Sequence, residues 1–147
     1  MHSHGISRQA WLPLGVAVIV AIGPVASYSS LASAADTKFT LAGAQEVPPV
    51  NSVGTGNGTI TVGADKSVSG SVTTVGIAGT AAHIHEAASG KNGPVIIPLT
   101  KTGDTYTVPA GTTLTDAQFA SFQAGNLYVN VHTVPNPDGG MRGQLKP

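Results

Sequence analysis

Along the chain, apolar and polar residues alternate in short runs, each bounded by glycine, proline or asparagine. A period of two marks a strand with one buried face, because successive side chains of an extended chain point to opposite sides. Gly58-Thr59-Ile60-Thr61-Val62 alternates in this way, and Ala64-Asp65-Lys66 makes a turn after it. In the next run Val68, Gly70, Val72 and Thr74 carry one face, while Ser69, Ser71, Thr73 and Val75 carry the other. Further strands are expected at 39–41, 81–86, 105–108, 127–132 and 141–145, with a more continuous apolar one at 94–99. A strand-like run at 44–50 is interrupted by Pro48-Pro49, which breaks any ladder there.

One segment departs from this period. Thr115-Asp116-Ala117-Gln118 has the form of a capping box, in which the Thr115 hydroxyl caps the amide of Gln118. Leu114 and Phe119 are spaced as a hydrophobic staple, and Gly125 is placed to end the helix. The spacing predicts one helix of about two to three turns near residues 115–124. The expected fold is all-β: a single β-sandwich or Greek-key-like barrel of about seven to nine short strands with that one helix.

The first 35 residues read as a leader outside the fold. Arg8 supplies a positive start, residues 11–22 are apolar and uncharged, and Ala32-Ser33-Ala34 matches a small-residue cleavage site, with Ser33-Ala34-Ala35 as an alternative. The apolar run is too short, and too interrupted by Pro13, Gly23 and Pro24, for a membrane span of about 20 residues. No cysteine follows it, so a lipid anchor is not expected. A secreted or periplasmic protein follows, with residues 36–147 as one domain and no membrane span in the mature chain. The chain has no cysteine at all, so this domain cannot lean on disulfides.

Charge narrows the partners. Seven basic residues balance seven acidic ones, and losing Arg8 with the leader leaves a net charge of about −1. No basic stripe interleaved with aromatics exists, which argues against nucleic acid and against anionic membrane surfaces.

The chemistry lies in the histidines. His2 and His4 leave with the leader, so His83, His85 and His132 remain. In His83-Ile84-His85 the two imidazoles share one face of a strand, and Ile84 points the other way. The same parity puts His132 on the face opposite Val129 and Val131. If the two strands are neighbours, three imidazoles converge, and three neutral nitrogens suit a copper or zinc ion. The bland alternative is that these are surface or hydrogen-bonded structural histidines.

Candidates for a fourth ligand or for an orienting partner are Glu46, Asn130 and Met141. Met141 offers a soft sulfur but equally suits core packing. Glu46 offers a carboxylate to the ion or to an imidazole, or is a solvated turn residue before two prolines. Asn130 shares the face of His132, whereas Glu86 falls on the face opposite His85. Arg142 is expected to stabilise structure by pairing with Glu46 or Asp138. Pro135, Pro137 and Gly139-Gly140 shape a loop that rims the site. Covalent catalysis has little to work with: there is no cysteine, no Gly-x-Ser-x-Gly elbow and no phosphate-cradling loop. Binding is therefore favoured over turnover.

Four motifs, in order, resemble a known family. Leu41-Ala42-Gly43-Ala44-Gln45-Glu46-Val47-Pro48-Pro49 looks like the opening motif of the CHRD domain, the module named after chordin and found also in bacterial secreted proteins. Ala82-His83-Ile84-His85 with Gly93-Pro94-Val95 resembles its central motif. Gly125-Asn126-Leu127-Tyr128-Val129-Asn130-Val131-His132-Thr133 and Gly140-Met141-Arg142-Gly143-Gln144-Leu145 resemble its closing ones. The resemblance implies an all-β domain and no single activity. A second likeness, of His83-Ile84-His85-Glu86 to the paired-histidine strand of copper-zinc superoxide dismutases, stops short of chemistry: the further histidines of a two-metal site and the disulfide are missing. The expected function is binding, buffering or delivery of copper or zinc through His83, His85 and His132. The alternative is a metal-independent protein-interaction or extracellular matrix module whose partner is another secreted or envelope protein.

Overall fold

The computed structural model describes residues 34–147, so the expected leader, residues 1–35, lies outside them except for Ala34 and Ala35. Nine strands and one helix follow in order: β1 (Ala35–Leu41), β2 (Thr55–Val62), β3 (Val68–Val75), β4 (Gly79–Glu86), β5 (Val95–Pro98), β6 (Thr100–Thr102), β7 (Thr105–Thr107), α1 (Asp116–Gln123), β8 (Leu127–Thr133) and β9 (Met141–Leu145). They form two antiparallel sheets, one of order β1-β2-β3-β7-β6 and one of order β5-β4-β8-β9. Of the two expected architectures the sandwich is the one adopted. No continuous ladder joins the sheets; β1 and β9 approach through an isolated bridge between Ala42 and Arg142, so no barrel closes.

Alternation sorts each strand between core and solvent. Leu41, Ile60 and Val72 face inward from the first sheet, and Ile84, Val129, Val131, Met141 and Leu145 from the second, each at 1 % exposure or less. Removing one such aliphatic side chain from water stabilises the fold by about 2 kcal/mol. The expected faces of β3 hold, with Val68, Val72 and Thr74 buried.

The helix forms where the capping box lies. Thr115 Oγ1 accepts from the Gln118 amide at 3.2 Å, and Gln118 Oε1 accepts from the Thr115 amide at 2.9 Å. Phe122 is buried against the core, and Gly125, at φ +73°, ends the helix. Ser121 on this helix donates to Glu86 Oε1 at 2.5 Å, which ties it to the end of β4.

Several boundaries differ from the sequence reading, most of them by one to three residues at a strand end, and three differences go further. β1 starts at Ala35 rather than Phe39, pairing Ala35 with Val62, because its polar residues still fill ladder positions. The run at 44–50 is no strand; a 3₁₀ turn, Gly43–Gln45, leads to the cis peptide Val47–Pro48. β6 has no apolar residue in its Thr100–Thr102 span, and all three side chains are exposed, so no pattern announces it.

The consequence for function lies on the outer face of the four-stranded sheet. There His83 and His85 from β4, Tyr128, Asn130 and His132 from β8, and Arg142 and Gln144 from β9 stand opposite the core-facing residues of the same strands.

Candidate metal centre

β4 and β8 are direct antiparallel neighbours, with His83 opposite Asn130, His85 opposite Tyr128 and Ala81 opposite His132. The histidines therefore meet as parity requires. One ligand atom from each of His83, His85 and His132 lies within 4.8 Å of the other two. No carboxylate belongs to this group among the described residues.

Backbone carbonyls of two loops orient two of the rings. His85 Nδ1 lies 2.9 Å from the Gly93 carbonyl, and His132 Nδ1 lies 2.7 Å from the Pro137 carbonyl. A carbonyl only accepts, so both Nδ1 atoms carry the proton and both Nε2 atoms are left as acceptors. His83 Nδ1 is 2.8 Å from His132 Nε2, which makes His83 the donor of that pair. His85 Nε2 is buried and makes no hydrogen bond of good geometry, Asn130 being the side chain that comes nearest to serving it. An ion held by His83 Nδ1 and His132 Nε2 at bonds of about 2.05 Å would need them about 3.3 Å apart and the His83 proton moved to its Nε2, so the contact would open by roughly half an ångström as the His83 tautomer changes.

Burial pushes the His83 imidazole below the ordinary histidine range, and its two neighbouring imidazoles push the same way. Burial lowers His85 too, helped by His132 and Arg142 and opposed by the Gly93 carbonyl and Asn130. Both rings are thus held neutral, the state a metal requires.

A polar layer supports His85. Its ring stacks on Tyr128 at 4.9 Å and 14°, and the Arg142 guanidinium lies 3.4 Å from the centre of the same tyrosine. Arg142 is 1 % exposed and makes no ion pair, so the expected pairing with Glu46 or Asp138 is not formed. Its fork instead donates to the carbonyls of Lys91 and Ala88 at 2.8 and 3.2 Å and to Gln144 Oε1 at 3.0 Å. These bonds hold the loop that ends in Gly93, whose amide donates to the Tyr128 hydroxyl at 3.2 Å. A Cβ at Gly93 would collide with the Glu86 carbonyl, so only glycine brings this acceptor to His85.

The three further candidates separate. Met141 pairs with Val131 and packs wholly in the core, on the face opposite the histidines, so β parity removes it as a ligand. Asn130 is 3 % exposed; its Nδ2 donates to the Asp138 carbonyl at 3.3 Å and its Oδ1 has no partner. Glu46 is 6 % exposed rather than a solvated turn residue, and its Oε1 is likewise unpartnered. Its carboxyl packs against Gly139, and burial raises its pKa from 4.5 to about 7 against the lowering pull of Arg142. Beside it opens a cavity of about 250 Å³ lined by Val47, Pro48, Pro135, Pro137 and Asp138. The Pro135–Gly140 loop thus rims the site as expected. The residues that sequence reasoning missed are Tyr128 and the carbonyls of Gly93 and Pro137. Tyr128 was legible, since it shares parity with Asn130 and His132, whereas the two carbonyls carry no side-chain signal.

No helix among the described residues is long and apolar enough to cross a membrane. Comparison with curated proteins and with solved structures finds no match. The family model described as CHRD domain matches residues 37–145, nearly all of the described chain, and it includes every residue of the histidine cluster and its support. The chain belongs to the CHRD domain family.

Proposed function

We propose that this CHRD domain is an exported binder of one copper or zinc ion, held by His83, His85 and His132, and that its role is to buffer or deliver the metal rather than to turn over a substrate. The observation that carries the reading is His85. Its Nε2 lone pair is buried and unpartnered, its ring is fixed through Nδ1 on Gly93, and two more imidazole nitrogens lie within 4.8 Å. A buried acceptor without a donor costs about 1–3 kcal/mol, a cost that a bound cation removes. The pattern of ligand histidines donating their other N–H to backbone carbonyls is the usual support of a metal site. Export is supported by the leader-like residues 1–35.

The test is calorimetric titration of the chelator-stripped protein with Cu²⁺ and Zn²⁺, beside a His83→Ala/His85→Ala/His132→Ala variant. One ion per chain with a dissociation constant of about 1 μM or tighter, lost in the variant, is the expected result. Equal binding in both proteins, or failure of the protein to hold zinc or copper in either oxidation state, would refute the reading.

A second reading, a metal-independent interaction module for another secreted or envelope protein, draws on one feature. Val53 and Val134 are 92 % and 80 % exposed, and with Ile77 they line a cavity of about 310 Å³. Exposed apolar clusters of this kind often mark contact surfaces. Absent metal binding together with a saturable protein partner, lost on Val53→Asp/Val134→Asp, would favour it.

A further inference from the structure

Resting on the three-histidine reading, we propose that the ion this centre selects is monovalent copper, over divalent copper and zinc. Three features of the chain point the same way.

The donors are all neutral. Among the described residues the group that can hold an ion comprises His83, His85 and His132 and no carboxylate. The electrostatic cost of taking an ion out of water rises with the square of its charge, so a set of neutral donors penalises a divalent ion more than a monovalent one. Three imidazoles also complete a trigonal shell for a d¹⁰ monovalent copper, whereas a divalent ion on three histidines must draw a water or another group into a fourth position.

The orienting groups are neutral as well. His85 and His132 donate to the Gly93 and Pro137 carbonyls at 2.9 and 2.7 Å. A carboxylate in that position, common behind zinc-bound histidines, would raise the basicity of the ring and favour higher charge on the ion. Neither ring has one.

A cation stands behind the centre. Arg142, 1 % exposed and in direct ion pair with no acid, although the Glu46 carboxyl acts on it electrostatically, lies 3.4 Å from the Tyr128 ring, and that ring stacks on His85 at 4.9 Å. Through this stack the guanidinium sits roughly 9 Å from a metal on His85. A unit charge at that distance disfavours each added charge on the ion by about 10-fold in affinity.

The experiment uses the purified protein under anaerobic reducing conditions, titrated with Cu(I) in competition with bicinchoninate. Parallel competitions against chromophoric chelators measure Cu²⁺ and Zn²⁺. One Cu(I) per chain, held at least about 100-fold tighter than either divalent ion, is expected. A divalent ion bound as tightly as Cu(I) would overturn this inference and leave the three-histidine function standing. Failure of the protein to hold any of the three ions would overturn both. In a second arm, Arg142→Gln should reduce the Cu(I)-over-Cu²⁺ ratio by about 10-fold, while Arg142→Lys, which keeps the charge, should preserve it. Weakening of all ions in equal proportion by both variants would reduce Arg142 to a loop anchor and remove its part in the selection. The wild-type arm needs no variant, so a poorly folding substitution leaves the main comparison intact.

Discussion

Replacing Glu46 by glutamine keeps the outline of the side chain and removes its ionisation, which isolates the energetic effect of one buried carboxyl. Burial raises the pKa of Glu46 from 4.5 to about 7, and Oε1 has no hydrogen-bond partner to offset the lost water. A group whose folded pKa is raised contributes stability that is complete below its unfolded pKa and lost as pH rises through the folded value. The window here runs from pH 4.5 to about 7. At about 1.4 kcal/mol per pH unit, the wild type gives up about 3 kcal/mol across it. The Glu46→Gln protein has no such loss. In the presence of chelator the two should therefore unfold with nearly the same free energy at pH 4.5, and the variant should be more stable by about 3 kcal/mol at pH 8. For a domain of this size that is a melting difference of about 10 °C. His83 and His85, whose folded pKa values are lowered, make the fold less stable as pH falls below about 6.5. They do so in both proteins and cancel in the difference. Melting curves that stay parallel from pH 4.5 to 8 would refute the reasoning.

Other outcomes follow from the same geometry. Metal occupancy, measured against a competing chelator, should hold from pH 7.5 down to about 6.5 and then fall, because the burial-lowered His83 and His85 take up protons later than a free imidazole does. Gly139→Ala should destabilise the protein by about 2 kcal/mol in chemical denaturation; Gly139 sits at φ +148°, and a Cβ there meets Glu46 Oε1 at 2.5 Å. Thr115→Ala, which removes one half of the capping box, should cost about 1 kcal/mol while leaving metal affinity unchanged.

Much of this was legible in the sequence because the domain obeys simple periodicity. The bounds of β3 and β9, the faces of β3 and β8, and the helix at its capping box all follow from local patterns. So does the common face of His83 and His85; their meeting with His132 depended on strand order, which no local pattern carries. Polar strands were the blind spot. β6 and the first half of β1 pair through backbone ladders with polar side chains, so they leave no apolar alternation to read. Arg142 misled for a related reason. A lone arginine near acids suggests an ion pair, yet here carbonyl dipoles of a loop and a tyrosine ring satisfy the guanidinium. Met141 shows parity working in the other direction: its ladder partner Val131 faces the core, which could have excluded it beforehand.

The division of labour around the histidines has an evolutionary consequence. The donors stand on paired strands, where a single inserted or deleted residue would turn Ile84 outward and both β4 imidazoles inward. Their orienting acceptors, in contrast, are main-chain atoms of Gly93 and Pro137, which a side-chain substitution does not delete. A mutational scan should thus tolerate exchanges at exposed loop positions such as Lys91 and Asp138 while punishing changes of loop length. Drift in loop composition at positions other than Gly93 would leave the imidazoles aimed, and descendants could retune access to the centre without rebuilding it.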